Sequence, residues 1–387
     1  MYIKSLYTKN FRNLNEQKVL FSPEINFIIG NNGAGKTNLI EAIYYLFLAK
    51  SFRTNISHNI INNQCTQCFL SSLLEDENGI EHILGMSRDS KSEISVHYDG
   101  NKLNTLSELA LIQSVIIIDP QVLDILSSGP TARRKFLDWG CYYHYPKFRV
   151  IYSKFIKVLR QRNKILRDKS KNRFDYEYIY WNNYFIELSE QINSFRKEYV
   201  QILNTEIFSL LDVFFPKQNI QFELKFGHNS DYNLSDYIDR ISDKEFALGC
   251  SQAGAHRADF SLKIDNKNII EFLSRGQIKL LVCALKISQA LLCYKYTNRK
   301  IILLMDDIAS ELDFINLNKI LNFVSRETSK IQFFISMIDE NILDKINIKD
   351  SCNLEVFKID RGGVEEVSRE TKKSYIDENK NFVYSSK

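Results

Sequence analysis

No apolar run in the sequence approaches the ~18 residues that a membrane-crossing helix needs. The opening MYIKSLYTKNFRN has no apolar secretory region, so a cytoplasmic protein without a membrane partner is expected. Disulfides are not expected either, because seven cysteines are an odd number and read, without a leader, as reduced thiols. Cys65 and Cys68 form a lone C-x-x-C with only His58 close by, which falls short of a zinc ligand set; a pair of core or surface thiols is the better reading. A strong excess of one charge is also missing, since 51 Lys and Arg stand against 47 Asp and Glu, a net of +4. With 44% hydrophobic and 25% charged residues the composition is that of a soluble globular protein, and 387 residues predict two domains or one domain with a large insertion.

Against those absences stands GNNGAGKTNLIEAIYYLF, residues 30 to 47. Gly30, Gly35, Lys36 and Thr37 fit G-x-x-x-x-G-K-[ST], the phosphate-binding loop. Glycines let successive backbone N–H groups curl around a polyphosphate, and the helix that follows adds the partial positive charge of its N-terminus. The cradle runs through Gly30, Asn31, Asn32, Gly33, Ala34, Gly35, Lys36, Thr37 and Asn38, with Lys36 reaching the β- and γ-phosphates and Thr37 offering its hydroxyl to Mg²⁺. INFII before it reads as a buried strand, and Leu39, Ile43, Leu46 and Phe47 after it keep helical spacing, giving strand, loop, helix.

A second candidate region is IILLMDDIASELD, residues 301 to 313. Five apolar residues suit a central parallel strand, at whose C-terminal end ligands bind. Asp306 is placed there to complete a Mg²⁺ shell and Asp307 to orient or deprotonate an attacking water. In FLSRGQIKLLVCALKISQAL, residues 272 to 291, Ser274 reads as the N-cap of a long apolar helix. Gly276 and Gln277 are surplus to capping, so Ser274, Gly276 and Gln277 are candidates for gripping an anion.

Thr37 and Ser274 are 237 positions apart, more than a nucleotide fold requires, so an insertion is expected between them. Residues 146 to 173 hold eleven Lys or Arg (Lys147, Arg149, Lys154, Lys157, Arg160, Arg162, Lys164, Arg167, Lys169, Lys171, Arg173) against one acid, Asp168. Phe148, Tyr152, Phe155, Leu159 and Leu166 keep helical spacing on one face, and a second helical stretch from Trp181 to Ile202 follows. DNA contact, partner docking and simple solvation all remain open for that basic face.

Together these pieces resemble the ATP-binding-cassette ATPases, with LSRGQ similar to their signature, Asp306 and Asp307 to the Walker B aspartate and catalytic acid, and Ser310 to Asp313 to the D-loop. More narrowly, LYTKNFRN, the phosphate loop with TNLIEAIYYL and AKSFR, VIIIDPQVLDILSSGPTARRKFLD, AHRADF, SRGQ and DDIASELD resemble, in this order, the RecF family of bacterial recombination mediators, over residues 1 to about 340. The resemblance implies an α/β ABC-type P-loop ATPase head with an inserted mainly α-helical arm: head residues 1 to 130 and 246 to 373, arm 131 to 245, tail 374 to 387. It implies ATP and Mg²⁺ as ligands, with Gln121 sensing the metal and the water, and with Arg12 and Asn13 approaching the nucleotide. The signature residues would complete a partner's site, so that ATP drives homodimerisation and slow hydrolysis releases it. Duplex, gapped or junction DNA, a RecR-like mediator and loading of the RecA recombinase are the implied partners and outcome. Alternatives are an SMC-like DNA-organising ATPase and, less favoured, a transporter ATPase, for which a basic arm has no use.

Several residues depart from the family pattern. Ala255 and Ala258 flank His256 where the family has proline and a second aspartate, and Asp307 stands where most cassette ATPases have glutamate. At position 121 the RecF family more often has an acidic residue nearby. No histidine follows FFIS, which is continued by Met337, so Ser336 is the remaining candidate for the switch position. The segment from Ile346 to Val367 is expected to be a terminal strand pair without chemistry.

Overall fold

The computed structural model describes residues 1–54, 56–123, 125–216, 219–265, 267–338 and 352–367. The described chain divides into two compact units, 1–123 with 283–387, and 124–282. The expected arm boundary at residue 245 thus falls inside the second unit, which also takes in AHRADF and the start of the signature helix. The expected tail, 374 to 387, lies outside the described residues.

In the first unit a six-stranded sheet runs Gly363–Glu366, Leu354–Asp360, Ile25–Ile29, Ile331–Met337, Ile301–Met305 and Val115–Ile118. All neighbours are parallel except the hairpin formed by the last two strands of the sequence. INFII, IILLM and IQFFISM are buried at every position, as continuous apolar runs are when both faces of a parallel sheet are covered.

A second, antiparallel sheet runs Gln17–Leu20, Tyr2–Lys9, Gln67–Glu75, Glu81–Asp89, Ile94–Tyr98 and Asn101–Lys102. In Gln67–Glu75, burial alternates with period two, the pattern of a sheet with one covered face. The helix Lys36–Leu48 contributes Leu39, Ile40, Ile43, Leu46 and Phe47 to one core with Ile3, Leu6, Leu70 and Leu74 of this sheet and Ile28, Leu304 and Phe334 of the parallel one. The buried Gln332 side chain ties the sheets together: Nε2 donates to the carbonyls of Ile3 and Ser22 at 2.8 and 2.7 Å, and Oε1 accepts from the Ile3 amide at 2.8 Å.

The second unit is mainly helical, with Pro130–His144, Pro146–Arg167, Tyr176–Glu206, Phe208–Phe214 and Leu234–Leu248. It also contains a three-stranded antiparallel sheet, Ile220–Lys225, Asp259–Ile264 and Lys267–Asn268, that sequence periodicity did not suggest. Phe155 and Phe185 stack at 5.5 Å between the two longest arm helices, and His256 packs against both rings. The helix Arg275–Thr297 is long and apolar enough to cross a membrane, contrary to the expectation from apolar runs, but most of its apolar stretch is buried inside the protein.

Candidate functional site

The parallel sheet delivers three chain segments to one place. Asp306 follows Ile301–Met305, Ser336 lies in Ile331–Met337, and the phosphate loop follows Ile25–Ile29. Thr37 Oγ1 donates to Asp306 Oδ1 at 3.1 Å, and Ser336 Oγ donates to the same oxygen at 2.7 Å. Ser336 in turn accepts from the Asp307 amide at 2.8 Å. The candidate switch residue is therefore buried beneath the two aspartates as a brace that sets their orientation, while Met337 beside it is fully buried.

Burial raises the Asp306 carboxyl above the ordinary carboxylate range, and the hydrogen bonds from Ser336 and Thr37 partly offset that. A divalent cation would act in the same direction as those bonds and favour the ionised form. Asp307 adopts left-handed geometry, φ 52° and ψ 36°, which is uncommon outside glycine, asparagine and aspartate. Its Oδ1 is buried and accepts no hydrogen bond among the described residues. A strained residue holding an unpaired buried carboxylate oxygen is a costly arrangement for a fold to keep without a use for it.

Gly35 precedes the helix Lys36–Leu48, which has no side-chain cap and no acid in its first turn, so its first amides are free to receive an anion. Lys36 Nζ donates to the carbonyls of Gly30 and Asn31 at 2.7 and 3.0 Å, curled into the loop it would release on meeting phosphate. Desolvation lowers its pKa, with Asp307 and Asp306 pulling the other way. Asn31, Asn32 and Gly33 are exposed at the rim, and Ala34 is buried.

The hairpin Leu354–Asp360 with Gly363–Glu366 is the strand pair that the sequence predicts, and it also backs the phosphate loop. A Cβ on Gly30 would run into the Ile359 carbonyl oxygen, so that position excludes every side chain. The Gly362 amide donates to the Ala34 carbonyl at 2.9 Å, while its own carbonyl accepts from the Asn15 amide at 3.0 Å and from Gln17 Nε2 at 3.1 Å. The glycine pair at 362 and 363 was the only sequence signal for this contact.

Asn13 and Arg12 take different places. Asn13 Oδ1 accepts from Asn38 Nδ2 at 2.5 Å beside the loop. Arg12 is instead committed to Glu41, with Nε and Nη2 reaching its two oxygens at 3.0 and 2.7 Å. Glu41 is fully buried and also takes Ser51 Oγ at 2.5 Å and Arg53 Nη1 at 3.4 Å, while Arg53 Nη1 donates to Asn38 Oδ1 at 2.7 Å. This network braces the phosphate-loop helix. Glu41, Ser51 and Arg53 went unassigned in the sequence, although AKSFR already stood out. Gln121 is exposed on the short helix Pro120–Leu123, just past the strand that pairs with Ile301–Met305. Cys68 faces the core, where burial pushes its thiol up to about 11, and Cys65 is half-exposed.

In the second unit the signature residues form a capping box. Ser274 Oγ accepts from the Gln277 amide at 3.3 Å, and Gln277 Oε1 accepts from the Ser274 amide at 2.9 Å. Gln277 is thus part of the cap rather than surplus to it. Gly276 keeps its distinction, because a Cβ there would meet nothing within 4 Å and capping does not require the glycine.

The basic helix Pro146–Arg167 also needs a correction. Lys147, Lys154, Lys157, Arg160, Lys164 and Arg167 are exposed, but Arg162 is fully buried. Its guanidinium meets Glu245 Oε2 at 2.5 Å, Ser251 Oγ at 2.6 Å, Asn182 Oδ1 at 2.9 Å and the Tyr178 hydroxyl at 3.2 Å. Arg133 makes a bidentate pair with Asp259 at 2.8 and 3.0 Å, so the aspartate of AHRADF is held within this unit.

The chain is similar to known proteins over most of its length. The family profile described as RecF/RecN/SMC N terminal domain matches residues 2–361. The DNA replication and repair protein RecF of Shewanella denitrificans is 32% identical over 364 residues, covering 94% of this chain and 99% of its own. That of Shewanella frigidimarina is 33% identical over 349 residues, covering 90% and 95%. The solved structure of the recombination mediator protein RecF-ATP in the RecFOR pathway superposes with a TM-score of 0.81 at 24% identity, over 95% of this chain and 98% of that one. The Smc head bound to the C-winged helix domain of ScpA shares the fold at a TM-score of 0.57 and 14% identity, over 97% of this chain and 100% of that one. With an ABC-type head whose phosphate loop meets the paired aspartates, and relatives matched along nearly their whole length, the chain belongs to the RecF family.

Proposed function

We propose that this protein is an ATP-dependent DNA-binding protein of replication and recombinational repair. The observation that carries the nucleotide reading is the convergence around Asp306 of Thr37, Ser336 and Asp307, one of whose carboxylate oxygens is buried and unpaired among the described residues. Gly30 to Asn38 would hold the polyphosphate through backbone amides and Lys36, while Thr37 and Asp306 would ligate Mg²⁺. Bound Mg²⁺ supplies charge neutralisation at the phosphates. Asp307 orients the attacking water, and its carboxylate reaches less far than the usual glutamate, so hydrolysis is slow. Asn13 approaches the nucleotide beside Asn38, Gln121 senses metal and water, and Arg12 acts at one remove through Glu41.

Ser274, Gly276 and Gln277 complete the nucleotide site of a second copy, so ATP joins two chains and hydrolysis parts them. The exposed arm cations neutralise phosphates of duplex, gapped or junction DNA. We also infer a RecR-like mediator as partner and loading of the RecA recombinase as outcome, on the strength of the resemblance to RecF proteins. The test is sedimentation of the purified protein with ATP and with ADP, each with and without gapped duplex. A dimer is expected with ATP and a monomer with ADP. A monomer at saturating ATP overturns the dimer mechanism.

A further inference from the structure

The turn joining the two longest arm helices carries groups that neither the nucleotide site nor the packing of the arm uses. Phe174 is 75% exposed and Tyr176 85% exposed, and Tyr180 one turn further is 55% exposed. Large rings held this far into water are unusual on a soluble protein, and three of them together mark a contact surface. The Arg173 guanidinium lies over the Phe174 ring, 4.9 Å from its centroid. Beside Phe174 opens a cleft of about 380 Å³ whose walls include Arg173, Phe174, Tyr178, Asn182, Asn183 and Asp239. Asn182 Oδ1 is taken by Arg162, whereas Asn183 is exposed at the mouth. The walls therefore offer a π-face, an amide with both donor and acceptor, and a carboxylate acceptor.

The charges around the turn separate into two sets. Its acids are engaged locally: Asp168 accepts from the Ser170 amide and hydroxyl at 2.9 and 2.7 Å, Asp175 from the Asn172 amide at 2.5 Å, and Glu177 pairs with Lys171 at 3.2 Å. Lys164, Arg167, Lys169 and Arg173 are exposed and have no ion-pair partner among the described residues. A surface of this kind is complementary to a ligand that is anionic along one edge and flat, aromatic and edge-polar along the other.

We propose that the arm tip is a binding site for an unpaired nucleobase of single-stranded DNA. The base stacks on Phe174 and Tyr176 and presents its polar edge to Asn183 and Asp239, while Lys169, Arg173 and their neighbours face the flanking phosphates. A paired base in a duplex cannot offer its face in this way, so the site distinguishes single-stranded from double-stranded DNA where the basic helix does not. The inference rests on the DNA-binding reading above, and its test separates the two.

Fluorescence anisotropy of the full chain with ATP would compare a blunt duplex with the same duplex carrying an oligothymidylate gap. Wild type is expected to bind the gapped duplex more tightly. Phe174→Leu with Tyr176→Leu keeps apolar surface but removes the π-face, and should lower gapped-duplex affinity about tenfold while leaving the blunt duplex unchanged. Both side chains are exposed, so circular dichroism and thermal midpoint should match wild type. Equal binding of the two substrates by wild type, or an unchanged gap preference in the leucine variant, overturns the inference and leaves DNA binding intact. The second of these results would point to apolar docking of a protein. Failure of wild type to bind either substrate overturns the DNA reading and this inference together.

Discussion

Asp307 gathers three properties that ordinary surface carboxylates lack: left-handed backbone, a buried unpaired oxygen, and an amide held by Ser336. Asp307→Asn preserves size, and asparagine tolerates this backbone better than most residues. ATP affinity should therefore stay within about twofold, with hydrolysis lost and the dimer trapped, as measured by nucleotide titration, phosphate release and sedimentation. His256 makes a second case. Burial drops its pKa to about 4, and its Nε2 contacts the Ser251 carbonyl at 3.0 Å. The folded ring stays neutral where an unfolded one, at about 6.5, takes up a proton. Stability contributed by neutral His256 is thus fully present above pH 6.5 and lost as pH falls towards 4. At pH 5 the loss relative to pH 7 amounts to about 2 kcal/mol. Urea unfolding of wild type and His256→Gln at both values should show this drop as the difference between them. Equal pH dependence would place the proton elsewhere. At this scale the sequence was legible where chemistry demands a residue type at fixed spacing, as in Gly30 to Thr37, and Asp306 with Asp307. It was not legible for Glu41 or Gly362, whose roles depend on partners brought together only by folding.

The helix Pro146–Arg167 has a period that announced its apolar stripe, and Phe148, Phe155 and Leu166 are buried as that spacing required. Periodicity could not separate Arg162 from its neighbours, because a buried arginine is distinguished only by the carboxylate it meets. Replacing Lys154, Lys157, Arg160 and Lys164 by glutamine should weaken DNA binding and flatten the slope of log affinity against log salt by roughly three to four units, with no change in stability. Arg162→Gln should do the reverse: it strands Glu245 without its cation in a site that is 0% exposed, costing about 3–5 kcal/mol of stability with the salt slope intact. Anisotropy titrations across salt and urea midpoints for the two variants check both halves. An unchanged slope in the fourfold variant, with circular dichroism intact, would make partner docking the better account of the helix. The strands Ile220–Lys225 and Asp259–Ile264 were illegible for another reason. QFEL and FSLK are short, half-exposed alternations, and each becomes a strand only through pairing with the other.

For the whole molecule, the two chemical halves of the proposed site lie in different units, the phosphate loop in one and Ser274 with Gly276 in the other. Ser274→Arg should leave nucleotide binding by the monomer intact and abolish ATP-driven dimerisation, while Lys36→Arg exchanges a compact ammonium for a planar fork and should lose hydrolysis. Mixing the two variants restores one composite site, so partial ATPase activity should return, up to about half of wild type per dimer formed; none at any ratio counts against sites shared between chains. A different consequence follows from the hairpin behind the phosphate loop. The sheet neighbours of Ile25–Ile29 are Ile331–Met337 and Leu354–Asp360, both about three hundred residues later in the chain. A ribosome therefore delivers the phosphate-loop strand first and its supports last, whereas residues 124–282 form a compact unit from one uninterrupted stretch. Pairings between such distant segments are slow to form, and they wait on synthesis as well as on search. Residues 124–282 can thus fold while Ile25–Ile29 is still unpaired, and the phosphate loop is not backed on both sides until Leu354–Asp360 has been synthesised.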